Sequence, residues 1–245
     1  MMGDYREHAV DPRLQLFVAC YWTNDVTSDR KQTHPVLPDG CIDILFESGS
    51  EMLSVVGTMT KTLWAEYRGP TQFVGARFRA GGAVPFLRER ADVFTDDAVE
   101  AVAVLGPTGR DLKEQLLAGA SIEERVRSVE RFLIQRLETT ATVVDARIAW
   151  GTSRLIHDPG CRIDSLASCL GMSRQYVRRL FLEHTGLSPK AFARVARLEK
   201  LVAAMPSIPN LADAALASGY ADQSHMTREF REMVGVTPAA FLANR

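Results

Sequence analysis

Catalytic signatures are the first thing this sequence is short of. It has no GxSxG elbow, no Walker phosphate loop, no dinucleotide-binding glycine pattern and no HExxH. The common hydrolase, nucleotide-binding and zinc-protease chemistries are left without their residues, and no catalytic residue is assigned. Gly106-Pro107-Thr108-Gly109 is too short for a phosphate loop and lacks a following Lys-Ser/Thr. Cysteine is scarce: Cys20, Cys41, Cys161 and Cys169 form no CxxC pair, which argues against a disulfide framework or a zinc cluster. His34, Cys41 and Asp43 lack HxH or HxxxE spacing, so neither a metal nor a cofactor is expected. No apolar run approaches the ~18 residues of a membrane span, so no membrane partner is expected. The opening MMGDYREHAV has no basic stretch leading into an apolar one, and a reducing, cytoplasmic setting follows as the expectation. Neither sign of charge dominates, with 29 Lys+Arg against 30 Asp+Glu.

What is there is an ordinary globular composition of 46% hydrophobic and 24% charged residues, enough for one large or two medium domains in 245 residues. The near-neutral total conceals a division. Residues 147–245 hold 13 basic and 8 acidic side chains, net +5, leaving −6 for residues 1–146. A basic half beside an acidic one is the charge pattern of a polyanion-binding domain attached to something else. Texture divides the chain too. Up to about residue 80, short β-branched and aromatic runs (Leu16–Trp22, Cys41–Phe46, Leu53–Val56, Thr62–Tyr67, Phe73–Phe78) are separated by Pro35, Pro38-Asp39-Gly40, Gly49, Gly57 and Gly69-Pro70. That spacing predicts a small antiparallel barrel or sandwich. Helical periodicity takes over after Gly81-Gly82, clearest in Ser121–Leu137, where Ser121 and Glu124 have capping-box spacing. Glu138–Asp145 reads as a linker. The expected architecture is an α+β domain over 1–140 and an all-α domain over 141–245.

The informative segment is IDSLASCLGMSRQYVRRLFLEHTGL, Ile163–Leu187. Leu166, Ala167 and Leu170 give a short helix an inner face, and Gly171 supplies a turn residue without a Cβ. Ser173 is an N-cap for a second helix whose inner face is Tyr176, Val177, Leu180 and Phe181. Its outer face is Arg174, Gln175, Arg178 and Arg179. A bracing helix, a glycine turn and a capped helix exposing Arg and Gln make up a DNA-reading helix-turn-helix. The device recurs in LADAALASGYADQSHMTREFREMVGV, Leu211–Val236, where Leu211, Ala214, Ala215 and Ala217 give a small-residue helix, with Gly219 at the turn and Asp222 at the cap. Met226, Phe230 and Met233 face inward there, while Gln223, Ser224, Thr227 and Arg228 face outward. Both copies end in the same tail, Phe181-x4-Gly186-x-Ser188-Pro189 and Phe230-x4-Gly235-x-Thr237-Pro238. Between them a helix starting at Pro189 is stopped by Pro206 and Pro209. The first unit spans about 163–184, the connecting helix 189–205 and the second unit 211–233.

In these residues the chain resembles the AraC/XylS family of transcription regulators, from about Arg154 to Ala243. Lys190–Leu201 resembles the family's linker helix and GYADQSHMTREFREMVGVTPAAF its C-terminal signature. Met226, where Phe is usual, and Ala214-Ala215, where Ile-Ala is common, depart from the pattern. The resemblance implies base-edge contacts from Gln175, Arg178 and Arg179 in the first motif and from Gln223, Ser224, Thr227 and Arg228 in the second. Arg suits guanine and Gln adenine, at about 1–3 kcal/mol of discrimination per bidentate pair. Arg174, Lys190, Arg194 and His225 are expected to touch phosphates, which position without specifying. The implied partners are promoter or operator DNA, read on major-groove faces about one turn (~34 Å) apart, a small-molecule effector, RNA polymerase and a second copy of the chain.

The N-terminal half resembles, through Leu37–Ile44, Val56-Gly57 and Ala76–Ala83, a cupin-like small-barrel domain placed ahead of such DNA-binding units. That implies a sensor or dimerisation module, with Leu112–Leu137 supplying helices that pair subunits. Trp22, Cys41, Trp64 and Arg77 are the candidate effector contacts. Turn chemistry offers a plainer account, in which Asp39-Gly40 is a hairpin turn, Arg77 and Arg79 are surface charges, and Cys41 is a buried inert thiol. Two other functions fit the same residues less fully: a dimeric DNA binder that senses nothing, and a small-molecule enzyme fused to a regulator.

Overall fold

The computed structural model describes residues 3–28, 31–67, 69–139, 143–208 and 210–243. Among the described residues of the first hundred lie eight strands: β1 (Asp4–His8), β2 (Val18–Val26), β3 (Gln32–Val36), β4 (Asp43–Glu47), β5 (Met52–Val56), β6 (Leu63–Tyr67), β7 (Thr71–Phe78) and β8 (Ala98–Glu100). Six of them form one antiparallel sheet in the order β1-β2-β7-β4-β5-β8, and β3 pairs with β6 as a separate ribbon.

Alternation along the strands gives the large sheet two faces. Ile44 and Phe46 of β4 and Val74, Ala76 and Phe78 of β7 are buried in the domain core. On that side lie α3 (Pro107–Ala118) and α4 (Ile122–Thr139), which follow the short α1 (Val84–Leu87) and α2 (Ala101–Leu105). Leu112, Leu116, Val126, Val129, Phe132 and Leu133 complete this core. These apolar residues of α3 and α4 are consumed inside their own domain, while Leu117 of α3 stays exposed. Ser121 Oγ accepts from Glu124 N–H at 3.2 Å, as the capping spacing required.

Seven helices follow among the described residues: α5 (Ala146–His157), α6 (Ile163–Cys169), α7 (Arg174–Thr185), α8 (Pro189–Ala204), α9 (Leu211–Ala217), α10 (Gln223–Val234) and α11 (Pro238–Ala243). They surround a second core containing Phe181, Phe192, Leu198, Leu201, Met226 and Phe230. Leu37 and Ala80 of the β-rich part pack against this second core, so the two halves share a boundary.

Several expectations are corrected. Pro35 lies within β3, tolerated because that ribbon has only two strands. Leu16 lies outside β2 and is largely exposed. Asp39-Gly40 is no hairpin turn: it links β3 of the ribbon to β4 of the large sheet. Gly40 takes φ +70°, and Asp39 Oδ1 accepts from Cys41 N–H at 3.0 Å. β1 and β8 have no counterpart in the hydrophobic pattern. In α9 Ala214 and Ala215 are buried, Ala217 is exposed, and Ser218 just beyond the helix is buried. Pro209 and residues 140–142 of the expected linker lie outside the described residues.

Candidate nucleic-acid interface

Gly171 at φ +64° turns the chain from α6 into α7, and Ser173 Oγ accepts from Tyr176 N–H at 3.2 Å. Val177, Leu180 and Phe181 then point inward, which leaves Gln175, Arg178 and Arg179 exposed on one side. Tyr176 is only half-buried, contrary to its expected core position. Its ring lies 4.8 Å from the Arg179 guanidinium carbon and 5.7 Å from that of Arg147. Such stacking restrains Arg179 while keeping its donors outward. Arg174 reaches Asp164 at 2.8 Å, with its side chain 70% exposed. An ion pair that open contributes little and yields readily to a phosphate.

The second unit repeats the geometry. Gly219 takes φ +87°, and Asp222 Oδ1 caps α10 by accepting from His225 N–H at 2.7 Å. Gln223, Ser224 and Arg228 are exposed, with Thr227 half-buried beside them. The same concavity carries Arg231, which the sequence reading had not singled out.

Between the units, α8 is fastened to α10 by charge. Arg197 donates from Nε to Glu229 Oε1 at 3.0 Å and from Nη2 to Oε2 at 2.9 Å; the two side chains are 12% and 9% exposed. Its Nη1 also reaches Pro159 O at 3.1 Å, and its guanidinium carbon lies 5.3 Å from the Tyr220 ring centroid. Arg194 belongs to the same cluster, at 3.1 Å from Glu229 and 2.8 Å from Glu232. In the structure its guanidinium also braces α8 against α10. Losing one member of a buried pair costs about 3–5 kcal/mol, because its partner's charge is stranded. Lys190, Arg194, His225 and Arg228 line one groove, so three of the four expected phosphate contacts do meet. The His225 ring stands edge-on to Tyr220 at 5.5 Å.

A residue distant in sequence joins the first reading helix. Arg90, between α1 and β8, lines the same concavity as Gln175, Arg178 and Arg179, and it pairs with Glu183 of α7 at 3.1 Å. Nothing local to Arg90 signals this; it follows from docking of the two halves. That docking includes hydrogen bonds to the C-terminal ends of both reading helices, where helix carbonyls have no intrahelical partner. Thr58 Oγ1 donates to Thr185 O at 3.0 Å, Thr95 Oγ1 to Gly186 O at 2.8 Å, and Thr62 N–H to Met233 O at 2.7 Å.

The other face of the large sheet, covered by the β3–β6 ribbon, encloses a cavity of about 550 Å³. Trp22 and Arg77 line it, as expected; Cys41 and Trp64 do not. On β6, Leu63, Ala65 and Tyr67 line the cavity, and the alternate Trp64 is half-exposed. Cys41 lies next to the Asp39 carbonyl at 3.6 Å, and burial, with Asp39 and Asp43 nearby, pushes its thiol well above the ordinary value. That is the setting of an unreactive thiol. At one end of the cavity Arg77 Nη2 stands 3.3 Å from both Asp39 and Asp43. Burial lifts Asp43 to about 6, with Asp39 adding to the rise and Arg77 opposing it. Gly75, paired with Trp22 across β2 and β7, leaves room for the indole, since a Cβ there would overlap the ring.

Two family descriptions match the chain: a domain of unknown function (DUF6597) over residues 6–100 and a helix-turn-helix domain over residues 166–244. Among curated relatives, the probable transcription factor PqrA of Proteus vulgaris is 29% identical over 103 residues, 42% of this chain and 84% of PqrA. The HTH-type transcriptional regulator MtrA of Neisseria gonorrhoeae is 30% identical over 80 residues, 32% of this chain and 27% of MtrA. Among solved structures, ToxT from Vibrio cholerae aligns over 91% of this chain and 97% of its own, at 12% identity and a TM-score of 0.46.

Proposed function

We propose, from the premise that the C-terminal part of this chain is an AraC-type helix-turn-helix domain of a DNA-binding transcription regulator, that α7 and α10 read adjacent major-groove segments of one operator. One observation carries this reading. Both helices begin at a side-chain cap, both leave a Gln/Arg face exposed, and one helix, α8, joins them. Gln175, Arg178, Arg179, Gln223, Ser224, Thr227 and Arg228 are assigned to base edges. Arg174, Lys190, Arg194 and His225 are assigned to phosphates, and Arg90 joins them. We place the boundary between the two units at residues 140–141. The protein acts in the cytoplasm by binding, with no catalytic step assigned; a second copy of the chain and RNA polymerase are its proposed protein partners.

The cavity is assigned to an effector, which favours a sensing regulator over a non-sensing dimer. Its coupling to DNA runs through residues 57–62, between β5 and β6. Met59 lines the cavity, Thr58 bonds the end of α7 and Thr62 the end of α10. An effector acts by differential affinity for two arrangements of this segment.

The test is selection of bound DNA from a random library by the full chain at two salt concentrations. The expected product is an asymmetric motif spanning about two major-groove turns. Arg179→Ala should then cost about 1–3 kcal/mol and relax one base position. Lys190→Ala should weaken every sequence alike and lower the salt slope by about 1. No enrichment, or identical behaviour of the two variants, defeats the assignment.

A further inference from the structure

Resting on the reading of the cavity as the effector site, we infer that its ligand is an amphipathic organic cation, an amine or quaternary ammonium carried on a flat apolar body. The volume of about 550 Å³ suits a single drug-sized molecule. The charges facing it are Asp39, Asp43, Glu47 and Arg77, with His34 at the ribbon side. Arg77 divides its one positive charge between Asp39 and Asp43, and Glu47 has no cationic neighbour among the groups lining the cavity. The three carboxylates and one guanidinium sum to −2. Asp43 Oδ1 is buried without a hydrogen bond of normal geometry, the Trp22 indole N–H being its nearby donor besides Arg77. A carboxylate oxygen left in that condition is costly, and an ammonium N–H is the group that relieves it.

The aromatic side chains add to the same preference. The Tyr5 and Trp22 rings stack at 6.1 Å, and Tyr67 and Phe73 meet edge-to-face at 5.5 Å. All four line the cavity, and aromatic faces attract cations. Trp22 Nε1 and Arg77 Nε are also buried without a hydrogen bond of normal geometry. An anion drawn to those donors enters the field of three carboxylates opposed by one guanidinium.

The test uses the full chain and three probes sharing one ring system: naphthylmethylammonium, naphthylmethanol and naphthoate. Binding is measured by calorimetry and by quenching of Trp fluorescence, with Trp22→Phe identifying the responding indole. The expected order is ammonium first, alcohol at least tenfold weaker and carboxylate weakest. Glu47→Gln and Asp43→Asn should each lower ammonium affinity about tenfold and leave the alcohol within threefold. Naphthoate binding as tightly as the ammonium, or no saturable ammonium binding, overturns the inference. DNA affinity is then measured with the ammonium at saturation. Binding in the cavity with DNA affinity unmoved leaves the ligand class standing and defeats the effector reading on which it rests.

Discussion

Asp43 sits between two opposed influences: burial, which disfavours its charge, and Arg77, 3.3 Å away, which favours it. Burial wins, so the folded protein holds this proton to about 6, above the ordinary carboxylate value of 3.8. A raised folded value means that the native state binds more protons than the unfolded chain between those two pH values. Asp43 therefore lowers stability as pH rises from about 4 to 6. Asp43→Asn should flatten that part of the profile and stabilise the protein at pH 7.5 by on the order of 1–3 kcal/mol, with little effect at pH 4. Urea denaturation at the two pH values decides it; an equal shift at both excludes Asp43 as the source. Single residues were also where the sequence was least legible. Trp22 and Trp64 look alike as candidates, and strand register alone puts the first on the cavity and the second outside. Arg194 reads as a free linker-helix cation until Glu229 and Glu232 arrive from 35 and 38 residues away.

Whole elements were easier to read, because helix signals are local. Gly171, Ser173, Gly219 and Asp222 announce turns and caps by residue type, and the structure places each in that role. Strands depended on pairing partners: β1, whose sequence is DYREH, has no apolar alternation and forms because β2 offers an edge. The repeated tail of the two motifs also permits a comparison within one chain. Gly186 and Gly235 close α7 and α10 at φ +76° and +85°. Nothing lies within 4 Å of a Cβ on Gly235, whereas one on Gly186 would stand 2.5 Å from Thr58 Oγ1 and 2.7 Å from Thr95 Oγ1. Gly235→Ala should cost about 1 kcal/mol, the ordinary penalty of a left-handed alanine. Gly186→Ala carries that penalty and also displaces the two threonines, adding roughly 1–3 kcal/mol for their hydrogen bonds. Thermal unfolding of the two variants should separate them clearly; equal losses would mean that the threonine contacts do not constrain the end of α7.

At the scale of the whole molecule, the halves meet along α5, α7 and α8, and a set of polar contacts between them gathers at the ends of the reading helices. Thr58 and Thr95 hold Thr185 and Gly186, and Arg90 holds Glu183. An interface of this kind is by default mobile unless it is large and apolar; here Leu37 and Ala80 pack on the second core, Gly40 lies beside Phe192 and Val195, and Gly81 beside Ile148. The polar contacts should therefore decide how firmly the reading helices are oriented by the sensor. Thr58→Val with Thr95→Val and Arg90→Ala removes those made by side chains to the end of α7, leaving the Thr62–Met233 backbone bond and both cores in place. At about 0.5–1.5 kcal/mol for each hydrogen bond, the variant should lose docking before it loses folding. Amide exchange should rise selectively in residues 57–62 and 185–187, while the centres of α4 and α8 keep their protection. Uniform acceleration would mean that the two halves unfold as one cooperative unit. No acceleration would mean that the contacts left in place hold them, and the coupling path from Met59 through Thr58 to α7 would then have to be abandoned.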